Sequence, residues 1–227
     1  RRGPLRPMPE AVVFDLDGVL LDSEQRWNEA KERVTRDAGG CWRGEAPEAM
    51  MGMSSPEWSA YMRDELGVPL DAAAINSAVV ELMSAGYERE LPLLPGALGA
   101  VRAVAARWPL GLASSSNREI IDAFLERSGV GGEFTVTLSS EEVGRGKPAP
   151  DVYLEVAARL GFDPAACVAV EDSGNGLRAA AAAGMPVIAV PNPHYPPPAD
   201  ALALATATVP TPAEVTPELV ERAAASS

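Results

Sequence analysis

From residue 97 onward the chain alternates between two hydrophobic periods, and this constrains its fold more than any other feature. Helix-spaced segments "GALGAVRAVAARW", "REIIDAFLERSG", "PDVYLEVAARLG" and "GLRAAAAAG" are each followed by a short apolar run: "LGLAS", "EFTVTLS", "CVAVED" and "PVIAV". Runs too apolar to have a solvent face, each reached through a helix, predict an α/β fold: a Rossmann-like parallel sheet with helices on both faces. The apolar run Ala11 to Phe14 belongs to the same sheet, although some 80 residues separate it from the rest.

That intervening stretch reads as helix only. "EQRWNEAKERVTRDAGG" places Trp27, Ala30 and Val34 on one stripe, with Ser23 as N-cap and Gly39-Gly40 as the stop. "SPEWSAYMRDEL" and "DAAAINSAVVELMSAGYERE" follow with start signals of their own, and "LPLLPG" closes the stretch. The expected organisation is an α/β core from residues 8–22 and 92–227, an inserted all-helical cap domain from 23–91, and a disordered leader at 1–7. The proline-rich tail reads as weakly helical and without chemistry, and His194, between prolines, as solvated.

A net charge of −13 with no basic stripe argues against nucleic-acid and membrane partners. A small anionic substrate would need a local cation. No apolar run approaches the roughly 18 residues of a membrane span. Two cysteines in unlike contexts, Cys41 and Cys167, and no secretory pattern before the first strand point to the cytoplasm. A monomer is the default assembly.

In an open α/β sheet, ligands lie beyond the carboxyl ends of the strands. The groups arriving there are Asp15 and Asp17 in "DLDGVLLDS", Ser114, Ser115 and Ser116 in "ASSSN", Lys147 in "GKPAPD", and Glu171 and Asp172 in "VEDSGNG". Each motif has a plainer reading: a calcium loop, a helix cap, a surface lysine, a capping cluster. The calcium loop fails because Val19 stands where an acid or Asn is required. The other plain readings would have to coincide at one sheet edge. Together the four loops supply oxygen ligands for a divalent cation and a charge for a phosphate.

These four motifs, in this order, resemble the haloacid dehalogenase superfamily of phosphohydrolases, and the helical insertion resembles the cap of its β-phosphoglucomutase and sugar-phosphate phosphatase subgroup. The resemblance implies a Mg²⁺-dependent phosphatase acting on a small phosphorylated metabolite through an aspartyl-phosphate. Asp15 would be the nucleophile and Asp17 the acid and base. Mg²⁺ would be held by Asp15, the Asp17 carbonyl, Asp172 and, through water, Glu171. Gly18, Ser114, Ser115 and Lys147 would bind the phosphoryl group. An aspartate at its ordinary pKa of about 3.9 is almost never protonated at neutral pH, so Asp17 needs help from its surroundings to act as an acid.

Trp27, Met51, Met53, Ser54, Ser55 and Trp58 are candidate cap contacts, although the tryptophans and methionines fit cap core equally well. Ser116, Asn117 and Arg118 are candidates for the far end of the substrate. Asp22, Ser23 and Glu24 read as a helix cap. The mutase alternative is weakened because its cap histidine and arginine are replaced by Trp27 and Ser55. A non-catalytic phosphometabolite-binding protein is the third reading.

Overall fold

The computed structural model describes residues 8–51 and 53–226, so the expected leader at 1–7 lies outside the described residues. The elements follow in the order β1 (Ala11–Phe14), α1 (Glu24–Asp37), α2 (Ala46–Met50), α3 (Ser55–Asp64), α4 (Ala72–Arg89), α5 (Ala97–Ala105), β2 (Leu110–Ser114) and α6 (Arg118–Arg127). Then come β3 (Phe134–Ser139), α7 (Asp151–Leu160), β4 (Cys167–Glu171), α8 (Gly174–Ala182), β5 (Val187–Ala189), α9 (Ala199–Leu202), β6 (Ala207–Thr208) and α10 (Pro217–Ala224).

The strands form one sheet in the order β3-β2-β1-β4-β5-β6, and every pair is parallel. β1 is central: the chain builds outward on one side to β3, then crosses to β4 and builds outward on the other. The crevice outside the carboxyl ends of β1 and β4 is therefore the topological switch point where such sheets bind ligands. The twofold strand period divides the core. Val12, Phe14, Leu112 and Val170 pack on one face with α5, α6 and α10, while Ala11, Val13, Ala113 and Ala169 pack on the other with α7 and α8.

The tail differs from its reading in sequence. Ala207–Thr208 pairs with β5 as a sixth strand, and α10 buries Leu219, Val220 and Ala223 against the sheet. A two-residue strand is too short to show alternation, so its pattern was invisible.

No strand interrupts α1–α4 among the described residues. α1 buries Trp27, Ala30, Lys31, Val34 and Thr35, a continuous stripe at helical spacing that includes one lysine. The two chain passages joining these helices to the sheet run side by side. Leu21 bridges Leu93, the Asp22 N–H donates to Pro92 O at 2.7 Å, and the Leu94 N–H donates to Leu20 O at 3.0 Å.

Candidate active site

Each acid is aimed by a local backbone requirement. Gly18 turns the chain after β1 with φ +80°, a region that disfavours any Cβ, and a Cβ there would lie 1.9 Å from Asp172 Oδ2. The β1 turn and the β4 turn can meet only because residue 18 is glycine. Gly176 does the same for Glu171: a Cβ at the start of α8 would lie 2.0 Å from its carboxylate.

Lys147 joins the two strands. Its Nζ, 5% exposed with its residue, donates to Asp15 Oδ1 at 2.7 Å, to Glu171 Oε1 at 2.6 Å and to Ala113 O at 3.0 Å. Burial opposes its charge, but Asp15 and Glu171 outweigh burial and hold the ammonium above its ordinary range. Tyr153 on α7 supports the pair: its hydroxyl donates to Glu171 Oε1 at 2.6 Å, and Lys147 Nζ lies 5.0 Å from its ring centroid. The other Glu171 oxygen accepts from Asp172 N at 3.1 Å and from Ser173 N and Oγ at 3.4 and 3.3 Å. Both Glu171 oxygens are thus occupied by protein donors, which suits an anchor for Lys147 and the β4 turn.

Asp15, Glu171 and Asp172 place carboxylate oxygens within 4.8 Å of one another. Burial drives the Asp15 carboxyl up to about 8 against the pull of Lys147, with Glu171 and Asp17 adding to the rise. Burial, then Glu171 and Asp15, likewise hold the Asp172 carboxyl far above its usual range. Three acids this close disfavour one another's charge, and a divalent cation held between them would offset that repulsion. All three offer oxygen, the donor that hard divalent cations prefer.

Asp17 faces the helical segment. Its Oδ1 accepts from the Ser23 hydroxyl and from Trp27 Nε1 at 3.1 Å, and its Oδ2 accepts from Ser116 Oγ at 2.5 Å. Ser23 therefore departs from its expected role: it makes no side-chain cap to α1 because its hydroxyl goes to Asp17.

A cavity of about 110 Å³ lies between these groups and α1–α3. Of the expected site residues it is lined by Asp15, Asp17, Trp27, Met51, Met53, Ser55, Trp58, Ser115, Ser116, Lys147 and Asp172. Gly18, Ser114 and Glu171 lie behind that surface. Ser114 Oγ accepts from Ser116 N at 3.0 Å, which leaves its O–H proton available to donate.

Three other expected residues do not line the cavity. Ser54 is turned to Glu57 at the start of α3, with Oγ and N both 2.6–2.8 Å from Oε2. Asn117 ties elements together instead of meeting the cavity: its Oδ1 accepts from Ser55 Oγ at 2.9 Å, and its Nδ2 donates to Asn76 at 3.2 Å and Glu141 at 2.8 Å. Arg118 points along the outside of α6 to Asp122, Thr137 and Glu142. One residue of helical rotation past a strand end is enough to carry a side chain off the site.

The cavity also holds residues that the sequence reading did not place there: Glu24, Lys31, Met50, Ser173, Asn175, Asn192 and Tyr195. Asn192 and Tyr195 come from the tail, which was read as lacking chemistry; nothing in their local pattern marks them. Lys31 did carry a signal, a charged residue on the apolar stripe of α1.

The chain is 36% identical over 189 residues to hexitol phosphatase B of Escherichia coli (strain K12), spanning 81% of this chain and 84% of that one. It is 33% identical over 190 residues to the bifunctional riboflavin kinase/FMN phosphatase of Arabidopsis thaliana, spanning 83% of this chain but only 50% of that longer protein. The crystal structure of CbbY from Rhodobacter sphaeroides in complex with phosphate superimposes with a TM-score of 0.81 at 29% identity, covering 92% of this chain and 96% of that one. The profile of haloacid dehalogenase-like hydrolases matches residues 9–184, well over half the sequence, and the chain belongs to that family.

Proposed function

We propose that the protein is a Mg²⁺-dependent phosphatase that hydrolyses a small phosphomonoester through an aspartyl-phosphate on Asp15. The observation that carries this reading is the enclosure at the switch point: a carboxylate at the end of β1, an ammonium 2.7 Å away and two more carboxylates within 4.8 Å. Relatives named as phosphatases, hexitol phosphatase B among them, favour hydrolysis over the mutase reading. So does Trp27, whose N–H is directed to Asp17.

In this reading an Asp15 oxygen attacks phosphorus, the bond from phosphorus to the ester oxygen breaks, and the departing alkoxide takes a proton from Asp17. A water then gives its proton to Asp17 and attacks the same phosphorus, and the Asp15 carboxylate leaves, restored. Lys147, the Ser114 hydroxyl and Ser115 hold the phosphoryl oxygens, and Ser23, Trp27 and Ser116 fix the direction of Asp17. Asp15, Asp172 and the Asp17 carbonyl would hold Mg²⁺, with Glu171 behind them. The ion supplies positive charge that favours ionised Asp15 and offsets repulsion between it and the phosphoryl oxygens. The helical segment 23–91 acts as a cap that keeps water from the cavity during the first step.

No helix among the described residues is long and apolar enough to cross a membrane. Both cysteines are free, in keeping with a reducing cytoplasm. The test is phosphate release from a panel of phosphorylated metabolites and an aryl phosphate. Release must stop on chelation and in Asp15→Asn; activity that survives that substitution refutes Asp15 as nucleophile.

A further inference from the structure

Lys31 has no part in the mechanism above, yet it is 5% exposed and lines the active-site cavity. Its Nζ lies 5.6 Å from the Trp27 ring centroid and 5.3 Å from that of Trp58, and no carboxylate among the described residues lies within ion-pair distance of it. A lysine on a helix ordinarily carries its ammonium out to water, whereas this one keeps it in the cavity between two indoles. Among the described residues, Lys147 is the only other cation on the wall, and it is already engaged by Asp15 and Glu171. In a chain of net charge −13, an anionic group of the substrate remote from the phosphoryl meets no other cation among the described residues of this cavity.

We infer that Lys31 is a specificity residue that binds a second anionic group of the substrate, so that the preferred substrates are phosphomonoesters carrying a carboxylate or a second phosphate. This rests on the phosphatase reading and narrows its substrate class. The indole faces hold the ammonium in place by attraction to the ring quadrupole while leaving its N–H donors for a ligand. Burial lowers the pKa of Lys31 to about 8 while Glu24 and Asp17 draw it upward, so most molecules still carry the charge at neutral pH.

The experiment compares matched pairs: phosphoglycerate against glycerol phosphate for a carboxylate, and a hexose bisphosphate against the hexose monophosphate for a second phosphate. The readout is the ratio of kcat/KM within each pair for wild type, Lys31→Met, Lys31→Gln and Lys31→Arg, each confirmed folded by circular dichroism. Wild type should prefer the doubly anionic member of at least one pair. Lys31→Met and Lys31→Gln should lower that ratio roughly tenfold or more, and Lys31→Arg should restore much of it. Calorimetric binding of the same compounds to Asp15→Asn, with and without Lys31→Met, gives the same ratio without turnover. If wild type hydrolyses nothing, the phosphatase reading falls while the binding ratio still decides the role of Lys31. Ratios that Lys31→Met leaves unchanged, equal losses within both members of each pair, or no binding of any compound overturn the inference.

Discussion

Replacing Lys31 by Met should make the protein more stable at neutral pH, and the size of the gain follows from the structure. The residue is buried, and its pKa falls from the ordinary 10.5 to about 8. Between those values the unfolded chain binds the proton that the folded chain has lost, so the contribution of Lys31 to stability rises with pH across that window. Below it the charge is present in both states and the full penalty applies, about 3 kcal/mol. The two indoles return about 1–2 kcal/mol through cation–π attraction, which Met forgoes.

The net gain for Lys31→Met at pH 7 is then about 1–2 kcal/mol, worth about 2–8 °C in Tm for a chain of this size. Thermal and urea unfolding of both proteins, at pH 7 and in steps to pH 10, measure it as a difference, which cancels groups common to both. The variant should lead at pH 7 and lose most of its lead by pH 10. A variant less stable than wild type at pH 7, or a difference that does not change with pH, refutes the reasoning. A residue that weakens the fold while facing the cavity is what a substrate-binding role requires.

Tyr153→Phe removes a 2.6 Å donor to the buried Glu171 carboxylate and should cost about 2 kcal/mol in urea unfolding with an unchanged slope. A loss under about 0.5 kcal/mol would mean that the hydroxyl is dispensable. Gly18→Ala forces a Cβ against Asp172 Oδ2 and strains a positive φ, so the Mg²⁺ concentration for half-maximal phosphate release should rise about tenfold or more. An unchanged requirement would remove Asp172 from the ion's ligands. Asn117→Ala leaves the Ser55 hydroxyl without its acceptor and loosens α3 and α4 from the β2 loop. Amide exchange in α3 should quicken, and stability should fall by about 1–3 kcal/mol.

The sheet was legible because parallel strands buried on both faces write themselves as short apolar runs, and the residue following each run marks the ligand edge. That logic brings Asp15, Lys147 and Asp172 to one sheet edge, and all three line the cavity. It could not reach groups whose position depends on packing between separate segments. Tyr153 sits on the buried face of α7 like any core residue, and only its meeting with Glu171 gives the hydroxyl meaning. β6 is two residues long and lies in a proline-rich tail, and Asn192 and Tyr195 reach the cavity because the loop after β5 folds back over it. Ser23 and Glu24 had the local chemistry of a cap, but proximity to Asp17 and the cavity claimed them. Asn117 and Arg118 lie off the cavity for the opposite reason: being next in sequence to "ASSS" does not place a helical side chain beside it.

The account stands on covalent chemistry at Asp15. Rapid quenching of wild-type protein with Mg²⁺ and an aryl phosphate, followed by mass spectrometry of the peptides, tests it most directly. One added phosphoryl group on the peptide containing Asp15, absent without Mg²⁺ and absent in Asp15→Asn, is the predicted result. Phosphate released at the normal rate with no such adduct, or with the adduct on another residue, would contradict the account.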